Sequence, residues 1–275
     1  RNEEKTRQLT IQFELERSNH QAEIYRMKSR YLQQAHEEAE ALVLARTQEL
    51  ERAQLEIVTR LAIAAEFRDD ETGMHTRRVG RNAAAIAYAM GFPLADLQVL
   101  FTAARLHDVG KIGIPDSVLL KQGRLAADEM ELMKRHTVIG ARILSAGDSR
   151  LLNLAETISL AHHERFDGQG YPSGLAGEAI PMAARIVAVS DVLDALTHER
   201  PYKTAWPVDE ALSEIASQRG RQFDPDAVDA CLAVFSGPDG LSPTDDTPAW
   251  QQLQEALRRL GASRGFPAVQ RASVW

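Results

Sequence analysis

Between residues 16 and 58 the chain contains neither glycine nor proline, and glutamate, glutamine, arginine and alanine dominate. Nothing in that run breaks an α-helix, and most of its residue types lose little on entering one. It reads as one long helix. Ile24, Met27, Tyr31, Ala35, Ala39 and Leu42, then Leu50, Ala53, Ile57 and Leu61, recur at three- and four-residue spacing. The spacing slips between Leu42 and Leu50, as at a stutter in a coiled-coil seam. Such a seam predicts a parallel homodimer, although a lone solvated helix, or one packed on a domain outside this chain, would carry the same pattern. Upstream, Leu9, Ile11, Phe13 and Leu15 alternate as in a strand but also fit two stripes of a helix. With no turn signal between them and the long run, helix is the expectation.

Beyond residue 58, glycine and proline gather in loops between apolar helical stretches such as NAAAIAYAMG, ADLQVLFTAARLHD, LLNLAETISLAHHE and AARIVAVSDVLDALT. No stretch yields a convincing set of alternating strands, so the fold class expected is all-α. Residues 1–58 are read as a helical linker, 59–235 as the globular domain, and 236–275 as a tail with one short helix in WQQLQEALRRLG. A hydrophobic share of 44% can fill a sizeable core. The single cysteine, Cys231, excludes an intrachain disulfide and a cysteine-built zinc site, and suits a reducing compartment. No apolar run reaches the roughly 18 residues that span a bilayer, and no signal peptide is visible. A cytoplasmic protein without a membrane partner is expected. The formal net charge of −7 argues against a nucleic-acid polymer as partner. A small anionic substrate stays compatible if metal ions or a few Arg and Lys invert the sign in one cleft. The chain opens on Arg rather than Met, which suggests a piece of something longer.

The chemistry lies in the histidines. In Glu71-Thr72-Gly73-Met74-His75 a carboxylate and an imidazole stand four apart, which on a helix puts both on one face. Such pairs are most often surface contacts, yet they can grip one metal. His107 and Asp108 are neighbours in LHDVGKIGIPD; the Asp can bridge two ions about 3.5–4 Å apart, or the pair can be a buried His beside a solvated Asp. His162 and His163 end an apolar helical run, where imidazoles serve as neutral ligands or as cations favoured by the dipole. His136 in MKRH would by itself be an ordinary, partly exposed histidine. Asp191, inside the apolar AVSDVLDAL, is costly to bury without a cation or a donor. Together these give five imidazoles and three carboxylates. Nitrogen and oxygen ligands without thiolate favour iron or manganese over structural zinc, and such a cluster can polarise a phosphodiester and activate water.

In their order, the segments AAEFRDDETGMHTRRV, LHDVGKIGIPDSVLLKQGRL, MKRHTVIGARIL, HHERFDGQGYPSGLAGEAIP and SDVLDALTHERPYKTAW closely resemble the HD-GYP subgroup of HD metal-dependent phosphohydrolases, the bacterial enzymes that degrade cyclic di-GMP. The resemblance covers residues 59–235. It implies an HD-type helical domain, and it implies that His107, Asp108, His136, His162, His163 and Asp191 are metal ligands, with Glu71 and His75 completing a third metal position. Two or three divalent ions, iron or manganese, would be the cofactors. Lys111 would contact the substrate phosphate or a bridging ligand, with His107, Asp108 and Lys111 carrying catalysis. Tyr171, in the Gly170-Tyr171-Pro172 motif, offers a hydroxyl or a ring to substrate, although a purely structural role for this loop fits equally. Arg200 and Lys203 would clamp phosphate. The chain departs from the family at Gln122, Leu193 and His198, none of them an expected ligand.

The activity implied is hydrolysis of cyclic di-GMP to pGpG, and in some members on to GMP. A cyclic GMP-AMP or other nucleotide phosphohydrolase and a non-catalytic cyclic di-GMP-binding module are the alternatives. The opening helix resembles connectors that follow tetratricopeptide or receiver domains, which implies an input domain outside this chain. The implied partners are a second copy of the chain through that helix and diguanylate cyclase (GGDEF) proteins.

Overall fold

The computed structural model describes residues 2–68, 74–145, 149–199, 204–237, 240–244 and 250–264. Among them every regular element is helical, apart from one isolated bridge between Arg219 and Phe223. The chain divides into two compact units, Arg1–Glu56 and Ile57–Trp275.

The first unit is a single helical run, the greater part of helix α1 (Asn2–Glu66). The alternating segment is helical too, and Leu9, Ile11, Phe13 and Leu15 all lie exposed on it. Ile24, Met27, Tyr31, Leu42 and Leu50 are likewise exposed, Tyr31 at 72%. Polar pairs one turn apart, Gln33 with Glu37, Gln34 with Glu38 and Arg46 with Glu49, decorate the same helix. No helix among the described residues is long and apolar enough to cross a membrane.

In the second unit, α2 (His75–Ala89) forms the centre, contacting α3 (Leu94–Ala103), α8 (Met182–Thr197) and α10 (Pro225–Phe235). Its Ala83-Ala84-Ala85-Ile86-Ala87 run is wholly buried. Small side chains all round let neighbouring helices approach from several directions, which is why a helix of mediocre apolarity can sit in the middle. Between α3 and α8 come two 3-10 turns, Ala104–Leu106 and Val109–Gly113, then α4 (Asp116–Leu119), α5 (Ala127–Lys134), α6 (His136–Leu144) and α7 (Arg150–Ala161). After α8, α9 (Val208–Ser217) leads to α10, which starts at Pro225 behind an Asp224 cap that accepts from Asp226 N and Ala227 N at 2.7 and 3.0 Å.

The segment read as a tail takes part in this core. Leu253 and Leu257 of α11 (Trp250–Arg264) are buried, and α11 contacts α2. The lead-in is tied down as well, Arg81 donating to Ser242 O at 2.7 Å and Asn82 to Pro243 O at 3.2 Å. Both bonds satisfy buried polar side chains on α2 that would otherwise cost stability.

One close approach fixes the turn that follows Asp108. A Cβ on Gly110 would stand 1.8 Å from His136 O and 2.4 Å from Gly140 N, and one on Gly140 would stand 2.2 Å from Ser159 Oγ. The Val109–Gly113 turn, α6 and α7 are thus pressed together where no side chain fits. Gly110→Ala should therefore cost about 1–3 kcal/mol, the usual penalty of overpacking. The check is the urea midpoint, and an unchanged midpoint would show that the turn does not depend on this contact.

Candidate metal centre

Four histidines are oriented by what their Nδ1 atoms bond. His107 Nδ1 lies 2.8 Å from Ala104 O, His136 Nδ1 2.7 Å from Met133 O, and His162 Nδ1 3.1 Å from both Ile158 O and Ser159 O. A carbonyl only accepts, so in each ring Nδ1 carries a hydrogen, and whenever the ring is neutral the lone pair is on Nε2. These carbonyls belong to the turn just before each histidine, so local helix geometry itself aims the ring. His75, the first residue of α2, has no preceding turn of that helix and instead places Nδ1 2.6 Å from Asp194 Oδ2.

The Nε2 atoms converge. His136 Nε2 and His162 Nε2 stand 3.5 Å apart, His107 Nε2 is 3.3 Å from Asp108 Oδ2, and His136 Nε2 is 3.3 Å from Asp108 Oδ1. His75 Nε2 and His107 Nε2 flank Asp191 Oδ1 at 3.5 and 3.9 Å. One donor atom each from Asp108, His136, His162 and His163 fall within 4.8 Å of one another, as do those of His75, His107 and Asp108. Asp108 is shared by the two groups, one oxygen toward each.

Acceptors facing acceptors in a buried space need a cation between them. Among the described residues, buried His107 Nε2 and Asp108 Oδ1 find no hydrogen-bond partner. Burial opposes a charge on His107, but Asp108 and Asp191 outweigh it and push its pKa up to about 9. The field there favours positive charge. For Asp108, burial is outweighed by Lys111 and His107, which hold the carboxyl below its usual range. Burial, together with nearby His162, pushes the His136 pKa down to about 4 against the pull of Asp108; burial, His162 and His136 push His163 down as well. Both are neutral at pH 7, as ligands must be. The residues present fit divalent metal.

The rim is built from the loop after α7. Both carboxylate oxygens of buried Glu164 accept backbone bonds, from Ser173 N at 2.7 Å and Leu175 N at 3.0 Å, while Tyr171 N reaches His163 O at 3.2 Å. A Cβ on Gly170 would sit 2.3 Å from Arg165 N, so only glycine lets the loop fold back so tightly. The result stacks the Tyr171 ring on His163, centroids 4.8 Å apart, with Lys134 Nζ 5.5 Å from the Tyr171 centroid. Burial and the charges of Asp108 and Asp191 raise the Tyr171 pKa, so its hydroxyl is a neutral donor.

The structure thus brings together His75, His107, Asp108, His136, His162, His163 and Asp191, sets Lys111 Nζ 2.8 Å from Asp108 Oδ2, and puts Tyr171 at the edge. Glu71, Arg200 and Lys203 lie outside the described residues. The reading of Glu71 and His75 on one helical face therefore also falls outside the described residues.

Sequence reasoning missed Asp194. It sits on α8 one turn past Asp191, is 1% exposed, and joins His75 to Arg78, whose Nε and Nη2 reach its two oxygens at 2.6 and 3.3 Å. His198 Nδ1 lies 3.2 Å from the same carboxylate. Burial opposes the charge of Asp194, and the bonds from His75 and Arg78 outweigh it, lowering its pKa. A second carboxylate in an apolar helix was visible; which partners it met was not. Glu164, and Ser159, whose hydroxyl donates to His107 O at 2.9 Å, carried no local signal.

Residues 59–227 match the family described as HD domain. The chain is 48% identical over 207 residues to the Xanthomonas campestris protein named cyclic di-GMP phosphodiesterase response regulator RpfG, covering 75% of this chain and 55% of that one. It is 48% identical over 179 residues to a Thermotoga maritima cyclic di-GMP phosphodiesterase, covering 65% of this chain and 49% of the other. A Vibrio cholerae 3'3'-cGAMP-specific phosphodiesterase 2 is 40% identical over 184 residues, 67% of this chain and 35% of its own length. The chain therefore spans about half or less of the length of these relatives. Among solved structures, the V. cholerae cyclic GMP-AMP specific phosphodiesterase V-cGAP3 aligns with a TM-score of 0.52 at 22% identity, over 74% of this chain and 53% of that one, a likeness of fold.

Asp194→Ala would leave Arg78 and His75 buried without their shared anion, a loss expected to cost about 3–5 kcal/mol. Denaturant unfolding of the metal-free protein measures it; a change below about 1 kcal/mol, the scale of an exposed ion pair, would contradict the buried hub.

Proposed function

Since the chain belongs to the HD domain family, and within it to the HD-GYP type, we propose that it hydrolyses cyclic di-GMP to pGpG, with GMP the product of a second cleavage. The observation that carries this reading is the Asp108 carboxylate shared between two histidine groups, with the Nε2 atoms of His107, His136 and His162 turned inward by the carbonyls that hold Nδ1. That is ligand stock for at least two ions. The names of the 48%-identical relatives support cyclic di-GMP as substrate.

His107, Asp108, His136, His162, His163 and Asp191 are the proposed ligands, with His75 and Glu71 completing a third position. Nitrogen and oxygen donors without thiolate favour iron or manganese. Divalent ions held there would polarise the phosphodiester and lower the pKa of water. The protein's own residues do the rest. Asp108 spans both groups and stays ionised beside Lys111. Lys111 offsets charge developing on the phosphate, Tyr171 donates its phenolic hydrogen to a phosphate oxygen, and Arg200 with Lys203 holds the second phosphate. Attack of water in line on one phosphorus then forms a P–O bond and breaks that phosphorus's bond to the ribose 3′ oxygen, which takes up the proton water gives up, opening the ring to a 5′-phosphate and a 3′-hydroxyl. The stacked Tyr171 and His163 rings give a purine base an aromatic surface at the rim.

The same site would serve cyclic GMP-AMP, which the 40%-identical relative's name favours. The exposed apolar positions of α1 support a parallel homodimer through that helix, since a lone helix gains nothing from showing Ile24, Met27, Tyr31 and Leu42 to water. GGDEF proteins, which make the substrate, are the proposed partners, and the cytoplasm is the proposed location.

The reading is tested by anaerobic purification, loading with iron or manganese, and chromatography of pGpG and GMP formed from cyclic di-GMP, with cyclic GMP-AMP in competition. Two or three metals per chain and turnover are expected. His107→Ala and Asp108→Ala should each lower turnover by about 10³-fold or more, removal of a principal electrostatic element costing that much, while circular dichroism stays helical. Full activity in either variant, or full metal loading of the parent without turnover, would overturn the reading.

A further inference from the structure

Arg68 lies two residues beyond α1, inside the unit that holds the metal centre, and its place is fixed by that helix: Arg68 N bonds to Ala65 O at 3.4 Å and Phe67 N to Ile63 O at 3.0 Å. From there its guanidinium crosses to the segment after Asp108. Nη1 donates to Lys111 O at 3.0 Å and to Ile112 O at 2.5 Å, and Nη2 donates to Ile114 O at 3.0 Å and to Asp116 Oδ1 at 2.5 Å.

Three of these four acceptors are carbonyls at and just past the end of the Val109–Gly113 turn; Lys111 O also accepts from Ile114 N at 3.0 Å and offers its second lone pair to the guanidinium. A planar fork can serve several carbonyls at once, which an ammonium cannot do in a fixed geometry. The fourth contact, with Asp116, is between side chains 30% and 71% exposed and adds little. The turn so held begins right after Asp108 and carries Lys111, whose Nζ stands 2.8 Å from Asp108 Oδ2. Its other anchor is Gly110 against α6. A short 3-10 turn has poor internal bonding of its own, so its register depends on such outside ties.

We infer that Arg68 is a positioning residue for the proposed reaction: by clamping the carbonyls of Lys111, Ile112 and Ile114 it sets Lys111 against Asp108, and it ties that setting to the last turn of α1. The inference rests on the proposed function only for the roles of Lys111 and Asp108. A displacement of the end of α1 would carry the guanidinium off the turn.

The experiment uses the metal-loaded full chain with Arg68→Ala, Arg68→Lys, Lys111→Ala and Arg68→Ala combined with Lys111→Ala. Amide hydrogen exchange across residues 109–118 is expected to speed up at least tenfold in Arg68→Ala and Arg68→Lys, while exchange in α2 and α8 and the metal content stay at parent values. With cyclic di-GMP, kcat/KM should fall about 10²-fold in Arg68→Ala, the scale of a small misplacement. The double variant should be no worse than Lys111→Ala alone, because both changes remove one interaction. Parent-like exchange in Arg68→Ala, full recovery by Arg68→Lys, or multiplicative losses in the double variant would each overturn the inference. If the parent turns over no cyclic di-GMP, the proposed function fails, and the exchange result alone decides the clamp.

Discussion

Hydrogen-bond acceptors turned toward one another in a buried space are the constraint the rest of this structure serves. His136 and His162 present lone pairs to each other at 3.5 Å, with Asp108 beside both. Left alone, such a group would relax by rotating its rings or admitting protons, since an uncompensated buried acceptor is expensive. Rotation is opposed because four of the five rings are anchored on the other side, His107, His136 and His162 by backbone carbonyls and His75 by Asp194. The protein stabilises the arrangement from outside and leaves the inside for a cation, the outer-shell logic of metal sites in general.

Holding those anchors requires backbones to come closer than side chains permit. Gly110 and Gly140 let the Val109–Gly113 turn, α6 and α7 meet, and the alanines of α2 let α3, α8 and α10 close around it. Small residues here are the means by which histidines far apart in sequence share one space. The polar residues buried alongside follow the same rule. Arg78 and Asp194 satisfy each other, and Glu164 spends both oxygens on the backbone of the loop that delivers Tyr171. Each is buried because its partners are fixed, and each fixes something the centre uses.

Much of this was legible in advance. The helical class follows from the glycine- and proline-free run and the lack of a convincing set of alternating strands, and the helix over Leu9 to Leu15 from the lack of any turn signal. Six of the histidines and carboxylates expected from the motifs, His107, Asp108, His136, His162, His163 and Asp191, do meet in one place with His75. Less legible was the end of the chain. Leu253 and Leu257 look like the stripe of a marginal surface helix, and only their burial, in a helix that contacts α2, shows them to be core. Periodicity reports that a face is apolar but not what covers it.

By itself the sequence determined the helices and the inventory of candidate ligands, because backbone propensity, turn residues and short motifs act over a few neighbours. The tertiary structure alone decided which ring atom of His75, His107, His136 and His162 faces inward and what holds it there. Asp194 meets His75 across 119 residues, Arg68 meets Ile114 across 46, and Ser159 meets His107 across 52. No local pattern encodes those pairings. They exist because burial makes every polar group find a partner, and which partner is in reach is a property of the packed whole.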